Sequence, residues 1–239
     1  MTSSTRIQLA AKLALAGATA FVGLAATSTA AHAEACGTEP TLVFAKPGVT
    51  TYGTACADKI IGTSGNDTIY GLGGDDEVLS GTGADVVYGG TGDDEIYTGS
   101  GLDRIEGESG NDFVMGGTEN DVINGGAGDD VLRGEEGNDT IYSWAGTNVN
   151  DGSDDLYGGD GNDYLNGYEG VDWVEGQFGD DTLESHEITP AYDHLVGGQG
   201  KDKFAVKDVI EHDAAHRDDV DVDNFDLAVT NKNATDTIH

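Results

Sequence analysis

The chain has 239 residues, 45 of them acidic and 11 basic, for a formal net charge of −34. A nucleic-acid backbone or an anionic membrane surface is recognised by a basic face, so neither is an expected partner. Histidine and cysteine are scarce, six and two residues, which leaves carboxylates as the dominant chemistry.

Residues 1–33 read as a signal peptide. Arg6 and Lys12 give a basic start, Leu13 to Ala26 is an apolar run, and Ala31-His32-Ala33 is a small-x-small cleavage site. The run is short for a membrane span, and no later segment could insert into a bilayer. Removal of this leader would leave 45 acids against 9 bases in a secreted, extracellular protein. Export permits disulfides. Cys36 and Cys56 are the only cysteines, and a bond between them would fasten residues 34–52 to the segment that follows. Two free thiols are the alternative.

From Gly53 to Ala205 the chain repeats every nine residues. The sixth position is always aspartate: Asp58, Asp67, Asp76, Asp85, Asp94, Asp103, Asp112, Asp121, Asp130, Asp139, Asp154, Asp163, Asp172, Asp181, Asp193 and Asp202. The eighth position is always apolar, from Ile60 to Phe204. Glycine fills the first position in twelve of the sixteen repeats and the fourth in thirteen. Two insertions, Ser143–Asn148 and Ser185–Glu187, interrupt the period without resetting it. The repeats beginning at Ser80, Thr98, Val149 and Ile188 lack the opening glycine, and Cys56, Glu119 and Ala191 replace the fourth. The repeat 188–196, with Pro190 and no glycine, is the weakest candidate for a metal site.

These residue types suit a hard cation. Glycine allows positive φ and turns carbonyls towards a common centre, aspartate supplies charge, and calcium takes six to eight oxygens. No histidine or cysteine stands at the sixth position, which argues against zinc or copper. The segments GGDGNDYLN (158–166) and GGQGKDKFA (197–205) fit the pattern G-G-x-G-x-D-x-U-x at every defined position. The array thus resembles the RTX (repeats-in-toxin, haemolysin-type) calcium-binding family. The resemblance implies an all-β parallel β-roll with two repeats per turn, each repeat being a six-residue turn and a three-residue strand. It also implies several calcium ions held between stacked turns by Asp carboxylates and main-chain carbonyls. Alternate repeats would stack their carboxylates in two columns, one running from Asp58 to Asp193 and the other from Asp67 to Asp202. At a strand spacing of about 4.8 Å, neighbouring charges repel by about 3.5 kcal/mol at an effective dielectric of about 20. A cation is needed to offset that.

Residues 206–239 lose the period and read as a polar cap. His212 and His216 have the spacing of a zincin helix, but Asp213 replaces its glutamate, and a solvated helix is the simpler reading. Asp219, Asp221 and Asp223 alternate as in an EF-hand loop, yet Asn224 replaces the loop glycine, so an acidic edge strand is expected. No nucleophile–base set stands out, and about 19 residues between leader and array are too few for a catalytic domain. The chain is expected to be a secreted calcium-binding protein that folds on calcium, and not an enzyme. An adhesive or matrix protein using the roll as a scaffold is the alternative. Its ligand, protein or carbohydrate, would lie on the outward stripe Ile61, Leu79, Tyr97 and Met115, unless residues 34–52, with Leu42, Val43 and Phe44, fold back over that stripe.

Overall fold

A computed structural model describes residues 36–37, 39–146, 151–185, 193–206, 219–221 and 237–238. All belong to the unit Ala35–His239. The described strands form two parallel sheets, one of eleven strands from Thr41–Phe44 to Thr237–Ile238 and one of nine from Thr51–Tyr52 to Lys203–Val206. The chain alternates between the sheets, so strands that pair are one full coil apart. This is the parallel β-roll expected, two repeats to the coil. Among the described residues no helix is long and apolar enough to cross a membrane.

The core follows from strand periodicity. Side chains alternate in and out along a strand, and the register sets eighth positions side by side: Ile60 beside Val78 and Val78 beside Ile96 in one sheet, Ile69 beside Val87 and Val87 beside Ile105 in the other. All sixteen eighth-position residues are buried and form one cluster. A residue per repeat is enough because the two sheets face each other and share that row.

The strands are longer than the three residues expected. Most run for six, such as Thr68–Gly73 and Arg104–Ser109, and take in the first three residues of the next repeat. Inter-coil hydrogen bonding continues through this part: Gly92 N–H donates to Ser109 O and Gly110 N–H to Ala127 O, both at 2.9 Å. The turn proper therefore shrinks to the fourth, fifth and sixth positions.

The two ends extend the sheets. Thr41–Phe44 pairs in parallel with Asp58–Thr63, with Val43 packed against the core and Leu42 and Phe44 exposed. Residues 39–52, the described part of the leading segment apart from 36–37, thus do not fold over the stripe. They lengthen it, because Phe44 lies beside Ile61 in the same outward row. Cys36 and Cys56 are joined, with Cα atoms 5.4 Å apart, and the bond ties this leading segment to the first turn. At the far end Asp219–Asp221 adds to His194–Gln199 as the next strand, and Thr237–Ile238 follows it. The His212–His216 pair and Asp223 lie outside the described residues.

Candidate metal centre

The fold stacks the sixteen aspartates into two columns on opposite edges of the roll, and every one is buried, between 0% and 6% exposed. Each column is a hydrogen-bonded ladder. The backbone N–H of Asp58 donates to Oδ1 of Asp76 at 2.7 Å, that of Asp76 to Asp94, that of Asp94 to Asp112, and so on to Asp193. The second column repeats this from Asp67 to Asp202 at 2.8–3.0 Å. One carboxylate oxygen thus holds the neighbouring coil.

The other oxygen is left over. Oδ2 of Asp76, Asp94, Asp112, Asp130, Asp154 and Asp172 is buried without a hydrogen-bond partner, as is Oδ2 of Asp103, Asp121, Asp139, Asp163 and Asp181 in the second column. A buried anionic oxygen with no donor is strongly unfavourable. It points at the first position of its own repeat, where a Cβ on Gly116 would strike Asp121 Oδ2 and also lie 3.2 Å from the carbonyl of Gly134. The opening glycine leaves room for the carboxylate. At the fourth position Gly110 has φ 139°, and a Cβ there would collide with the carbonyl oxygen of Gly92 in the preceding coil. Carbonyl oxygens therefore project along the stack beside the unpartnered carboxylate oxygens.

Electrostatics agree. Burial first, then neighbouring column charges, pushes Asp76 and Asp112 up to about 7 and Asp121 and Asp130 up to about 8, against a backbone hydrogen bond that lowers each. Burial, and then the charge of Asp193, raises Asp172 further. Among the described residues no three Asp, Glu, His or Cys side chains converge closely enough to hold an ion by themselves. Carbonyls must complete any coordination shell, and an all-oxygen set of carboxylates and carbonyls fits calcium. Residues 52–183 match a family model, the RTX calcium-binding nonapeptide repeat, in four copies: 52–87, 79–114, 115–149 and 150–183.

The chain belongs to the RTX calcium-binding repeat family.

No curated protein matches the chain. Membership implies calcium binding, and the RTX array supplies residues that can hold the ion. Its sixth-position carboxylates would contribute Oδ2, and its backbone would contribute carbonyls.

The structure also amends the reading of the RTX repeats. Where glycine is missing from the first position, a small hydroxyl side chain stands in every case. Ser80 Oγ lies 2.5 Å from Asp85 Oδ2 and 2.9 Å from Thr98 O, either of which can accept its one hydrogen, and Thr98 Oγ1 donates to Gly116 O at 2.8 Å. Ser143 is buried, donates to Gly167 O at 2.6 Å, and follows Tyr142, which pairs with Asn166. Ser143 is therefore a first-position residue, not the start of an insertion, and the six extra residues fall between it and Asp151. Ser185 is likewise buried at the first position, beside Val206. The strands that enter the insertions are short, Thr140–Tyr142 and Thr182–Ser185. The repeat 188–196 lies partly outside the described residues, but Asp193 accepts the N–H of Asp172 at 3.0 Å and Leu195 is fully buried.

Two features escaped sequence reasoning. The fifth position carries a second ladder running the other way: Asp93 N–H donates to Asp75 Oδ1, Asn111 N–H to Asp93 and Asp129 N–H to Asn111, and on the other edge Asn162 N–H to Asn138 and Asp180 N–H to Asn162. The excess of Asn and Asp at that position was its signal. The left-handed backbone also extends to the second position, where Leu72, Glu108, Glu135 and Gln177 have φ of 77–83°. Glu119, at the fourth position, adopts φ 79° in place of glycine.

Proposed function

We propose that the chain is a secreted protein whose roll folds when calcium enters the two Asp columns, and that it acts by binding rather than by catalysis. The carrying observation is the run of buried Oδ2 atoms without partners in successive coils. Without a cation these carboxylates repel along the stack and lack donors. With calcium each would gain a ligand role between coils. The leader reading of residues 1–33 supports export, and millimolar extracellular calcium is the range in which weak, modular sites fill. All sixteen sixth-position aspartates are assigned as ligands in this reading.

The test is calcium titration of the exported protein followed by far-ultraviolet circular dichroism. The expected result is a cooperative gain of β-structure with calcium, reversed by chelator, with magnesium a poor substitute because it sheds water reluctantly. A spectrum that chelator leaves unchanged would sink the proposal.

A second reading has an observation of its own. Phe44, Ile61, Leu79, Tyr97 and Met115 occupy one outward row on five adjacent strands, Phe44 well exposed and the others half-buried. A continuous apolar row of this kind marks a contact surface, so the roll would also present a protein or carbohydrate ligand site. Lys at both Leu79 and Tyr97 is expected to abolish that contact while leaving the calcium midpoint unchanged.

A further inference from the structure

One step of the stack differs from the others. In the coil that ends at Asp154 and in the next, which ends at Asp172, the third position of the turn is acidic: Asp151 and Glu169. The two turns are in register through a parallel bridge between Gly152 and Gly170, and Asp154 N–H donates to Asp172 Oδ1 at 2.9 Å. Asp151 is fully buried, and neither of its oxygens meets a donor at hydrogen-bond geometry among the described residues, the nearby backbone N–H groups of Asp151 itself and Ala145 only partly offsetting its burial. Glu169 is buried as well.

The opposite edge provides the comparison. Glu136 and Asp160 also hold third positions in successive coils and are paired in register, but both are exposed. Water solvates those two, so they need nothing further. Asp151 has no such recourse, and it is close enough that the charges of Asp154 and Glu169 act on it and its own charge acts on Asp172. Composition is the same at the two edges. Burial separates them.

We propose that this step is a divalent-cation site carrying the charge of four carboxylates, Asp154 and Asp172 at the sixth position as ligands and Asp151 and Glu169 at the third position beside them, and that it takes calcium before the two-carboxylate steps do. The proposal rests on the calcium reading of the array and adds the order in which its steps fill. Buried negative charge beside a cation site adds to its attraction for the ion. The four side chains do not converge on one point as they stand; Asp154 and Asp172 with backbone carbonyls would supply the ligands, and Asp151 and Glu169 would add charge next to them. Early filling here would fix the register of the coils on either side of the larger insertion.

The site carries its own optical probes. Trp144 and Trp173 are the two tryptophans of the chain. Trp144 packs at 6.2 Å ring-centroid distance against Tyr168, the neighbour of Glu169, and Trp173 follows Asp172 directly. Terbium, an oxygen-seeking substitute for calcium, should therefore emit by energy transfer from tryptophan when it occupies this step.

The experiment titrates terbium into the purified exported protein and follows tryptophan-sensitised emission alongside far-ultraviolet circular dichroism. In the parent, sensitised emission should rise ahead of the main gain in β-structure and be displaced by calcium. The double substitution Asp151→Asn with Glu169→Gln should move that early phase to roughly tenfold higher terbium or beyond, as expected when two buried charges beside the ion are lost. The control pair Glu136→Gln with Asp160→Asn should leave it in place. An unmoved early phase in the first pair, or an equal shift in the control pair, overturns the proposal. Calcium-driven folding with no sensitised emission overturns this site alone, whereas a parent that responds to neither ion overturns the calcium reading with it. If the double variant fails to reach the parent's spectrum at saturating calcium, Glu169→Gln alone should still shift the early phase several-fold, and no shift there is equally decisive.

Discussion

Replacing Asp112 with Asn should reverse sign with calcium. Asp112 lies mid-column and is buried; its Oδ1 accepts the N–H of Asp94 at 2.8 Å, and its own N–H donates to Asp130 Oδ1 at 2.8 Å. Asn keeps the Oδ1 acceptor and the shape, and loses only the charge. In chelator that loss relieves repulsion with Asp94 and Asp130, each about one strand spacing away. One such pair is worth about 3.5 kcal/mol at an effective dielectric of about 20. The two pairs together would give about 7 kcal/mol; burial pushes Asp112 up to about 7 and Asp130 up to about 8, so partial protonation removes more than half of that, and stabilisation on the order of 3 kcal/mol is expected. With calcium the sign turns. The substitution weakens the steps below and above, and a site held at ten times its dissociation constant contributes about 1.4 kcal/mol. The loss is then about 3 kcal/mol over two steps. Asp58→Asn, at the column end with Asp76 its one column neighbour, should show about half of each effect. The assay drives folding in chelator with trimethylamine oxide, which strengthens burial by exclusion, and compares midpoints by circular dichroism with those of a calcium titration. If Asp112→Asn destabilises in both media, the carboxylate is a structural acceptor and the cation argument fails. If it stabilises in both, no cation sits at that step.

Three further outcomes follow from the same geometry. The buried aspartates have pKa values raised from 3.8 to about 6 at Asp94 and about 8 at Asp121, chiefly by burial. The folded chain therefore binds more protons than the unfolded one, and this contribution to stability is complete below about pH 4 and lost as pH rises through about 6 to 8. In chelator the protein should accordingly hold more β-structure at pH 5 than at pH 8, while its calcium midpoint should rise as pH falls because protons and calcium compete; the opposite order in circular dichroism would contradict the burial argument. Glu108→Gly and Glu135→Gly relieve left-handed backbone at φ 79° and 80°, and each should raise the melting temperature in calcium by an amount equivalent to about 1 kcal/mol. Gly116→Ala places a methyl against Asp121 Oδ2 and the Gly134 carbonyl, and should raise the calcium midpoint and lower the melting temperature, whereas Ala at the open position Gly65 should change neither midpoint beyond about 0.5 kcal/mol in equivalent stability.

The roll, its core and its two Asp columns were legible in the chain itself. An invariant aspartate and, two residues on, an always apolar residue, repeated sixteen times with a nine-residue period, stack consistently when alternate repeats pair, so Ile60 to Phe204 had to be the core and Asp58 to Asp202 the columns. The disulfide was legible for a simpler reason, since Cys36 had one cysteine to meet. Other features depended on contacts between residues a full coil apart. Which carboxylate oxygen bonds to the next coil, and which is left for a cation, is set by strand register across 18, 21 or 24 residues. So is the role of Ser143 and Ser185, which look like insertion residues until Tyr142 is paired with Asn166 and Ser185 with Val206. The leading strand joined the sheet edge instead of covering it because unpaired backbone at that edge accepted Thr41–Phe44, with Val43 completing the core. Asp151 and Glu169 cannot be told from Glu136 and Asp160 by residue type or position in the repeat; only the packing of the coils buries the first pair and leaves the second in water.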